Sequence, residues 1–289
     1  MSSGYGILLA RLQRLRLSVK TRKRAAHKGG RRSGRPGQSL EFSDFRAYQP
    51  GDDLRLIDWN LFGRTGKHYI KRFLDEQEIH AAVILDATPS MRIIESKWKR
   101  AKEIAAALSF IALNGEDRLS FIPASASAGG KITRKGAVYA KSVYNSILVT
   151  DETSAAGTFT ESVLAEGLKG AQAVIVITDG LESPGEFAKL FRKLASSKIE
   201  AKFIHILAGE EINPSGTGDL RLIDSETGTA VEVSMGESVV KLYQRRLEAH
   251  NASLEQLCRK YGFAYLSTTD KDDFHEFIFH MCTAKKVLE

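Results

Sequence analysis

The chain of 289 residues is long enough to bury a large hydrophobic core, as one big domain or two smaller ones. Its apolar fraction of 43% and charged fraction of 27% are ordinary for a globular protein, and no apolar run reaches the ~18–20 residues of a membrane span. The two cysteines, Cys258 and Cys282, exclude a disulfide framework and favour a reducing, cytoplasmic compartment.

The excess positive charge lies in an N-terminal arm. Residues 1–37 contain 11 Lys or Arg and no acid, whereas the remainder has 31 basic and 35 acidic residues. Residues 6–20 predict a short basic amphipathic helix, and 21–37 a flexible segment. The candidate residues for binding an anionic partner, either nucleic acid or the inner-membrane surface, are Arg11, Arg14, Arg16, Lys20, Arg22, Lys23 and Arg24. A solvated arm, or a helix docked on its own domain, is an equal alternative.

Residues 38–77 predict a β-rich extension. Residues 41–48 and 55–59 have the composition of strands, and the turn-forming residues 49–53 lie between them, so we expect an antiparallel hairpin. The residues expected to anchor this hairpin on the following sheet are Tyr48, Ile57 and Trp59. Those expected to satisfy one another and the turn are Asp52, Asp53, Arg55 and Asp58.

From residue 78 to 289 the chain alternates between strand and helix patterns. Residues 81–86 and 173–179 are apolar runs that end in an acid, as expected for buried parallel strands. Further strands are predicted at 118–124, 202–207 and 263–266, helices at 97–114, 138–148, 160–169, 186–197, 238–261 and 272–282, and a hairpin insertion near 219–234. This alternation predicts an α/β fold with a mostly parallel sheet flanked by helices.

Oxygen-bearing side chains are concentrated where two of these strands end. Asp86 and Asp179 end their strands, Thr88 and Ser90 alternate with Asp86, and Thr158 offers a hydroxyl before a helix. In open α/β sheets, ligands bind at the carboxyl ends of the strands. Carboxylates and hydroxyls without Cys or His suit Mg²⁺, Mn²⁺ or Ca²⁺ rather than zinc, and would leave a coordination position open for a partner's carboxylate. Without a metal, the same residues would serve only as helix caps.

This pattern resembles the metal-ion-dependent adhesion site of von Willebrand factor A-type domains. The family's Asp-x-Ser-x-Ser is matched by Asp86, Thr88 and Ser90, with Thr in place of the first Ser. Thr158 and Asp179 match the second and third motifs. The resemblance implies a Rossmann-like fold, a bound divalent cation such as Mg²⁺ and a role in binding proteins.

The segment ahead of the sheet resembles the signature of the bacterial family called domain of unknown function 58. Its residues include Tyr48, Gly51, Asp52, Asp53, Arg55, Asp58 and Trp59. The likeness extends over roughly residues 30–289, and the chain resembles the short form without the two membrane helices that many members carry. It implies a non-enzymatic partner of MoxR-type AAA+ ATPases in assembling or activating other proteins, with no small-molecule substrate.

Two other classes of function stay open. A metal-dependent nuclease would use the arm on phosphates and Asp86 and Asp179 on a metal, although we expect no Lys or His beside those acids as a general base. A membrane-recruiting module would use the N-terminal helix. Thr88 stands where a haloacid-dehalogenase-like phosphatase needs a second Asp, which argues against that class. Residues 63–68 lack the spacing of a phosphate loop, so any ATP-driven work must come from a partner.

Overall fold

The computed structural model describes residues 2–20, 42–73, 78–124, 130–150, 158–214, 218–223 and 228–289. The chain divides into two compact units. The first comprises Met1–Val19 together with Glu78–Glu289, and the second comprises Lys20–Gln77. The predicted arm of residues 1–37 is therefore divided between the units, because its first part is folded into the larger one.

The strands, in chain order, are β1 Phe42–Ala47, β2 Tyr69–Phe73, β3 His80–Asp86, β4 Arg118–Ala124, β5 Ile132–Lys135, β6 Ala173–Thr178, β7 Glu200–Leu207, β8 Gly218–Ile223, β9 Ala230–Met235 and β10 Ala264–Thr269. The helices are α1 Ser2–Leu12, α2 Trp59–Thr65, α3 Pro89–Arg92, α4 Glu95–Asn114, α5 Ala140–Leu148, α6 Phe159–Glu166, α7 Pro184–Ser196, α8 Gly209–Ile212, α9 Glu237–Tyr261, α10 Phe274–Glu276 and α11 Cys282–Ala284. None of the helices in the described ranges is long and apolar enough to cross a membrane.

The larger unit is built on a six-stranded sheet in the order β10-β7-β6-β3-β4-β5. All neighbouring strands are parallel except β5, which pairs antiparallel with β4 at one edge. Counted along the chain, this is the doubly wound order 3-2-1-4-5-6, whose direction of winding reverses between β3 and β6. The predicted mostly parallel α/β fold is confirmed, and so is the hairpin insertion, which is formed by β8 and β9.

Three strands show which parts of the sheet could be predicted from the sequence and which could not. β3 and β6 are buried almost throughout, and their continuous apolar runs identify them as central strands. β5 was missed because it is a short edge strand of sequence Ile-Thr-Arg-Lys, which is half-exposed and has no apolar run. Its place in the sheet depends on pairing with β4, which local composition does not encode.

Helices cover both faces of the sheet. One face packs against α4 and α5, with Ile104 and Phe110 fully or almost fully buried. The other packs against α6, α7 and α9, where the rings of Phe187 and Phe203 meet edge to face at 5.4 Å. Full burial of each such side chain contributes about 1.5–3 kcal/mol to stability, so these layers fix the positions of the strand ends.

The N-terminal segment is part of this core. The side chains of Leu9 and Leu12 are 4% and 0% exposed, so the docked-helix alternative describes residues 2–20. The sequence predicted a helix that continues to residue 20, but the helix ends at Leu12. It ends there because the chain then turns to meet the C-terminal segment. There Arg16 N donates to Glu289 O at 2.7 Å, and Ser18 N donates to Val287 O at 3.0 Å.

The smaller unit differs from the predicted hairpin. β1 pairs antiparallel with β2, and not with residues 55–59, which form a 3-10 turn at Leu54–Leu56 and the start of α2. Helical turns form because Asp53 accepts a hydrogen bond from Arg55 N, and Asp58 accepts one from Leu61 N. Such capping favours helix over strand.

Asp52 contributes to the turn as predicted, since its Oδ2 accepts a hydrogen bond from Gln49 N at 2.8 Å, but the ion pairs of the signature acids are with bases other than Arg55. Asp52 pairs with Arg46 at 2.8 Å, and Asp58 pairs with Lys71 at 3.1 Å. Ile57 is buried, whereas Trp59 is 62% exposed, and its ring contacts those of Phe62 and His68. The signature thus maintains the local folding of the unit through caps and ion pairs.

Candidate metal centre

The loop after β3 gathers three of the predicted site residues. Asp86 is the last residue of β3, and its Oδ1 accepts hydrogen bonds from Thr88 N at 3.0 Å and from Thr88 Oγ1 at 2.6 Å. Thr88 Oγ1 lies 3.1 Å from Ser90 Oγ. Thr88 occupies the N-cap position of α3, but its side chain makes no capping bond. The hydroxyl is directed to Asp86 instead, which argues against a purely helix-capping role.

The end of β6 supplies the next group. Leu85 pairs with Ile177 in the sheet, so Asp86 and Thr178 are neighbours across the two strands. Thr178 Oγ1 donates to Asp86 Oδ2 at 2.6 Å, and Asp179 follows directly. Thr178 was not among the predicted residues, because its importance depends on the register between β3 and β6. The cluster therefore lies at the point where the strand order reverses.

The carboxylate of Asp86 is buried without a compensating cation. It is 2% exposed, and no basic side chain of the described ranges forms an ion pair with it. Burial and the nearby Asp179 carboxylate raise the pKa of Asp86 to about 7. A divalent cation would offset both effects, since it supplies opposite charge to two acids held in a poorly solvated place.

Asp179 has a basic partner that the sequence did not suggest. Lys97 Nζ lies 3.0 Å from Asp179 Oδ2 and 2.6 Å from Glu211 Oε1, and the lysine side chain is fully buried. Burial alone would lower the pKa of Lys97, but the two carboxylates outweigh it and raise that pKa. A lysine therefore does lie beside one of these acids, but it is paired with two carboxylates and is not free to act as a general base. A lysine near the start of a helix looks solvated in the sequence, and only the packing of α4 buries it.

The buried His205, which is itself hydrogen-bonded to Tyr265, positions Asp179. His205 Nε2 donates to the backbone carbonyl of Asp179 at 2.7 Å, and His205 Nδ1 accepts from the hydroxyl of Tyr265 at 2.7 Å. Burial lowers the pKa of His205 to about 4, so the ring is neutral near pH 7. This chain of hydrogen bonds links the end of β6 to β7 and β10.

The residue after Asp179 has to be glycine. Gly180 has φ of +64°, and a Cβ atom there would lie 2.9 Å from Leu254 Cδ1 and 3.3 Å from His205 Nε2. Its carbonyl accepts a hydrogen bond from His250 Nε2 at 2.7 Å. Backbone freedom and lack of a side chain are both needed for this turn to pack under α9.

Thr158 lies apart from the bonded cluster. It is the N-cap of α6, where its hydroxyl accepts from Glu161 N at 3.4 Å, and no hydrogen bond of the described residues joins it to Asp86 or Asp179. The start of α6 is tied to the loop after β6, because Thr160 Oγ1 donates to Glu182 at 2.6 Å. The structure thus connects Asp86, Thr88 and Ser90 directly, and Asp179 through its neighbour Thr178.

The donor set fits a hard cation. No group of three or more His, Cys, Asp or Glu that could hold a metal occurs in the ranges described, so protein ligands here would be two carboxylates and hydroxyls. Mg²⁺ accepts such a set, because it retains water where the protein provides few ligands. The oxygens present are therefore suited to Mg²⁺ or Mn²⁺ and not to zinc.

Comparison with known proteins identifies the family. The family model described as "Protein of unknown function DUF58" matches residues 44–253. The chain belongs to this family. A relative, uncharacterized protein Rv1480 of Mycobacterium tuberculosis, is 26% identical over 274 residues, which cover 92% of this chain and 86% of the relative.

Solved structures with some likeness to this DUF58 chain include two of note. The conserved hypothetical protein BatB from Bacteroides thetaiotaomicron has 18% identity and a TM-score of 0.39, covering 72% of this chain and 98% of that one. The VWA domain of SpRpn10 has 8% identity and a TM-score of 0.39, covering 68% and 91%. These superpositions are partial. The fold of this chain is von Willebrand factor A-like, with a mostly parallel sheet in the doubly wound order.

Proposed function

We propose that this DUF58 protein is a metal-dependent protein-interaction module without catalytic activity of its own. Its partner would be a MoxR-type AAA+ ATPase, a client of such an ATPase, or both. The observation that carries the proposal is the buried Asp86 carboxylate, which has hydroxyl groups around it and no basic partner in the described ranges. It lies at the switch point of the sheet, where α/β folds bind ligands.

Asp86, Thr88, Ser90 and Asp179 would hold the cation, which we expect to be Mg²⁺, with Mn²⁺ or Ca²⁺ as alternatives; Thr158 stays a further candidate. When bound, the metal supplies an open coordination position for a carboxylate of the partner. The chain's own part is to keep the oxygens in place. The hydroxyls of Thr88 and Thr178 hold the two oxygens of Asp86 at 2.6 Å each.

A nuclease is a weaker hypothesis for this site. Lys97 is the basic residue beside Asp179, but it is fully buried and remains protonated, so it cannot accept a proton from water. His205 and His250 each use Nε2 to donate a hydrogen bond to a backbone carbonyl, so that nitrogen is not available as a base. These observations support a binding role for the acids over hydrolysis.

We also propose that the N-terminal arm binds an anionic partner. Two of its arginines already have contacts within the chain, which leaves fewer candidate residues. Arg11 has its guanidinium 4.3 Å from the centre of the Phe279 ring and contacts His275, and Arg16 donates to the carbonyls of Gln13 and Leu15. The exposed Arg14 is the best candidate of the α/β unit. Lys20 belongs to the smaller unit, and Arg22, Lys23 and Arg24 lie outside the described residues. Attachment to the inner membrane from the cytoplasm would rest on these groups.

The proposal is tested by capture of a MoxR-type ATPase from the same genome on the immobilised full chain. We expect binding in Mg²⁺, loss of binding in EDTA, and loss with Asp86→Ala or Asp86→Asn. Glu237→Gln is the matched control, because it removes an exposed carboxylate at the start of α9 and should leave binding unchanged. Equal capture in Mg²⁺ and EDTA would refute the metal dependence.

A further inference from the structure

A buried lysine stands beside the candidate metal centre. Lys97 lies in the first turn of α4 and is 0% exposed. Its ammonium group contacts the carboxylates of Asp179 and Glu211 at 3.0 and 2.6 Å. Burying a lysine is costly, and it is tolerated only when the charge is well paired. Nothing in the folding of α4 itself requires a lysine here, because the neighbouring inward positions are apolar.

The ammonium group is fixed in place from both sides. Asp179 is held at the end of β6 by the hydrogen bond from His205 Nε2 to its backbone carbonyl, as described above. Glu211 accepts from Lys97 with one oxygen and from Ala208 N with the other, at 2.7 Å. The backbone carbonyl of Glu211 also accepts from the hydroxyl of Tyr243 in α9 at 2.7 Å. Lys97 is thus a permanent positive charge within a few ångströms of the oxygens proposed to bind the cation.

We propose that Lys97 is an internal counter-ion that sets the charge of this centre. It weakens binding of the divalent cation alone and strengthens binding of an anionic partner group, a carboxylate, to the cation-loaded centre. This role rests on the proposed function, and it makes Lys97 the residue that favours an anionic group on the partner. Its physical basis is Coulomb's law in a poorly solvated site, where one added positive charge repels a cation and attracts an anion.

Two substitutions change this charge in opposite directions. Lys97→Met keeps the apolar stem and removes the positive charge, so we expect the Kd for Mn²⁺ to fall about tenfold and the Kd for a carboxylate to rise about tenfold. Glu211→Gln keeps the lysine and removes one of its two negative partners, so both shifts should reverse. A lysine that served only to maintain the fold would, when replaced, weaken both affinities together.

The experiment uses the full chain and two probes. The Kd for Mn²⁺ is measured by calorimetry. The Mn²⁺-loaded protein is then titrated with N-acetyl-aspartate N-methylamide, with binding read from water-proton relaxation, and the uncharged asparagine analogue serves as the ligand control. Lys189→Met is the matched protein control, because it removes an exposed lysine that pairs with Glu186 on α7. It should shift neither Kd.

The outcomes separate this inference from the proposed function. Wild-type protein that binds Mn²⁺, together with variants whose two affinities stay within twofold or move in the same direction, would overturn the role of Lys97 and leave the metal-dependent function intact. Wild-type protein that binds no Mn²⁺ would overturn both. If Lys97→Met does not fold, as judged by circular dichroism, Glu211→Gln alone decides, since its two shifts must still be opposite in sign.

Discussion

At the scale of single residues, the centre depends on hydrogen bonds that hold its carboxylates in position. The carboxylate of Asp86 is oriented by Thr88 and Thr178, and the backbone of Asp179 is held by His205. These supporting groups are short, buried and hydrogen-bonded, so each has little freedom to move. In a site held in this way, the ligands are already ordered, so binding of a cation costs less conformational entropy.

Gly180 provides a residue-scale prediction about stability. Gly180→Ala should lower the free energy of unfolding by about 2–4 kcal/mol, because it combines the penalty of the left-handed backbone with a collision against Leu254. Gly262→Ala is the control, since that glycine has φ of +71° and a Cβ added there would have no atom within 4 Å. It should cost only the backbone penalty of about 1–2 kcal/mol. Equal losses in guanidinium unfolding would show that the close approach at Gly180 is unimportant.

At the scale of elements, both ends of the chain are joined to the sheet through β7. Lys202 is buried in β7, and its Nζ donates to Ser18 O at 2.6 Å and to Lys286 O at 2.9 Å. It also pairs with Glu200 at 3.1 Å. One ammonium group therefore satisfies carbonyls from the N-terminal and C-terminal segments, which lie side by side through the backbone bonds near Leu17 and Leu288.

The corresponding prediction concerns Lys202→Met. Removing the ammonium group leaves the carbonyls of Ser18 and Lys286 without this donor, the first of them buried, so we expect a loss of about 2–4 kcal/mol in the free energy of unfolding. Lys189→Met, which removes an exposed ion pair, should change it by less than about 1 kcal/mol. Hydrogen exchange should also become faster at the amides of Arg16 and Ser18. An unchanged exchange rate there would argue against the joining role.

At the scale of the whole molecule, the sheet separates two hydrophobic layers that each contain one cysteine. Cys282 belongs to the layer with α4, and Cys258 to the layer with α9. Both thiols are buried, and burial raises the pKa of each to about 12. Because thiolates are the reactive form, neither thiol should react in the native state.

The rate at which these two thiols react therefore measures how each hydrophobic layer unfolds. With Ellman's reagent at pH 8, we expect no reaction of native protein and two thiols per chain in guanidinium. Glu237→Cys places a thiol at an exposed position and should add one that reacts at once. If unfolding is cooperative, the two native cysteines will react at the same slow rate. Rapid reaction of one of them would reveal local opening of its own layer.

The sequence alone determined the parts of this protein whose signals are local. The apolar runs of β3 and β6 and the acids at their ends predicted central strands and a cluster at their carboxyl edge, because burial on both faces demands continuous apolar residues. The alternation with helices predicted the parallel sheet. The family signature was likewise readable as a continuous pattern, and the matched family confirms it.

Which distant residues meet depends on three-dimensional packing, and local sequence signals did not predict it. The pairing of β1 with β2, the burial of α1, and the contacts of Asp86 with Thr178 and of Asp179 with Lys97 all join segments far apart in the chain. Periodicity reports which face of an element is buried, but not what buries it. A lysine or threonine in a helix or strand therefore reads as ordinary until the packing of other elements removes it from water and places it beside a carboxylate.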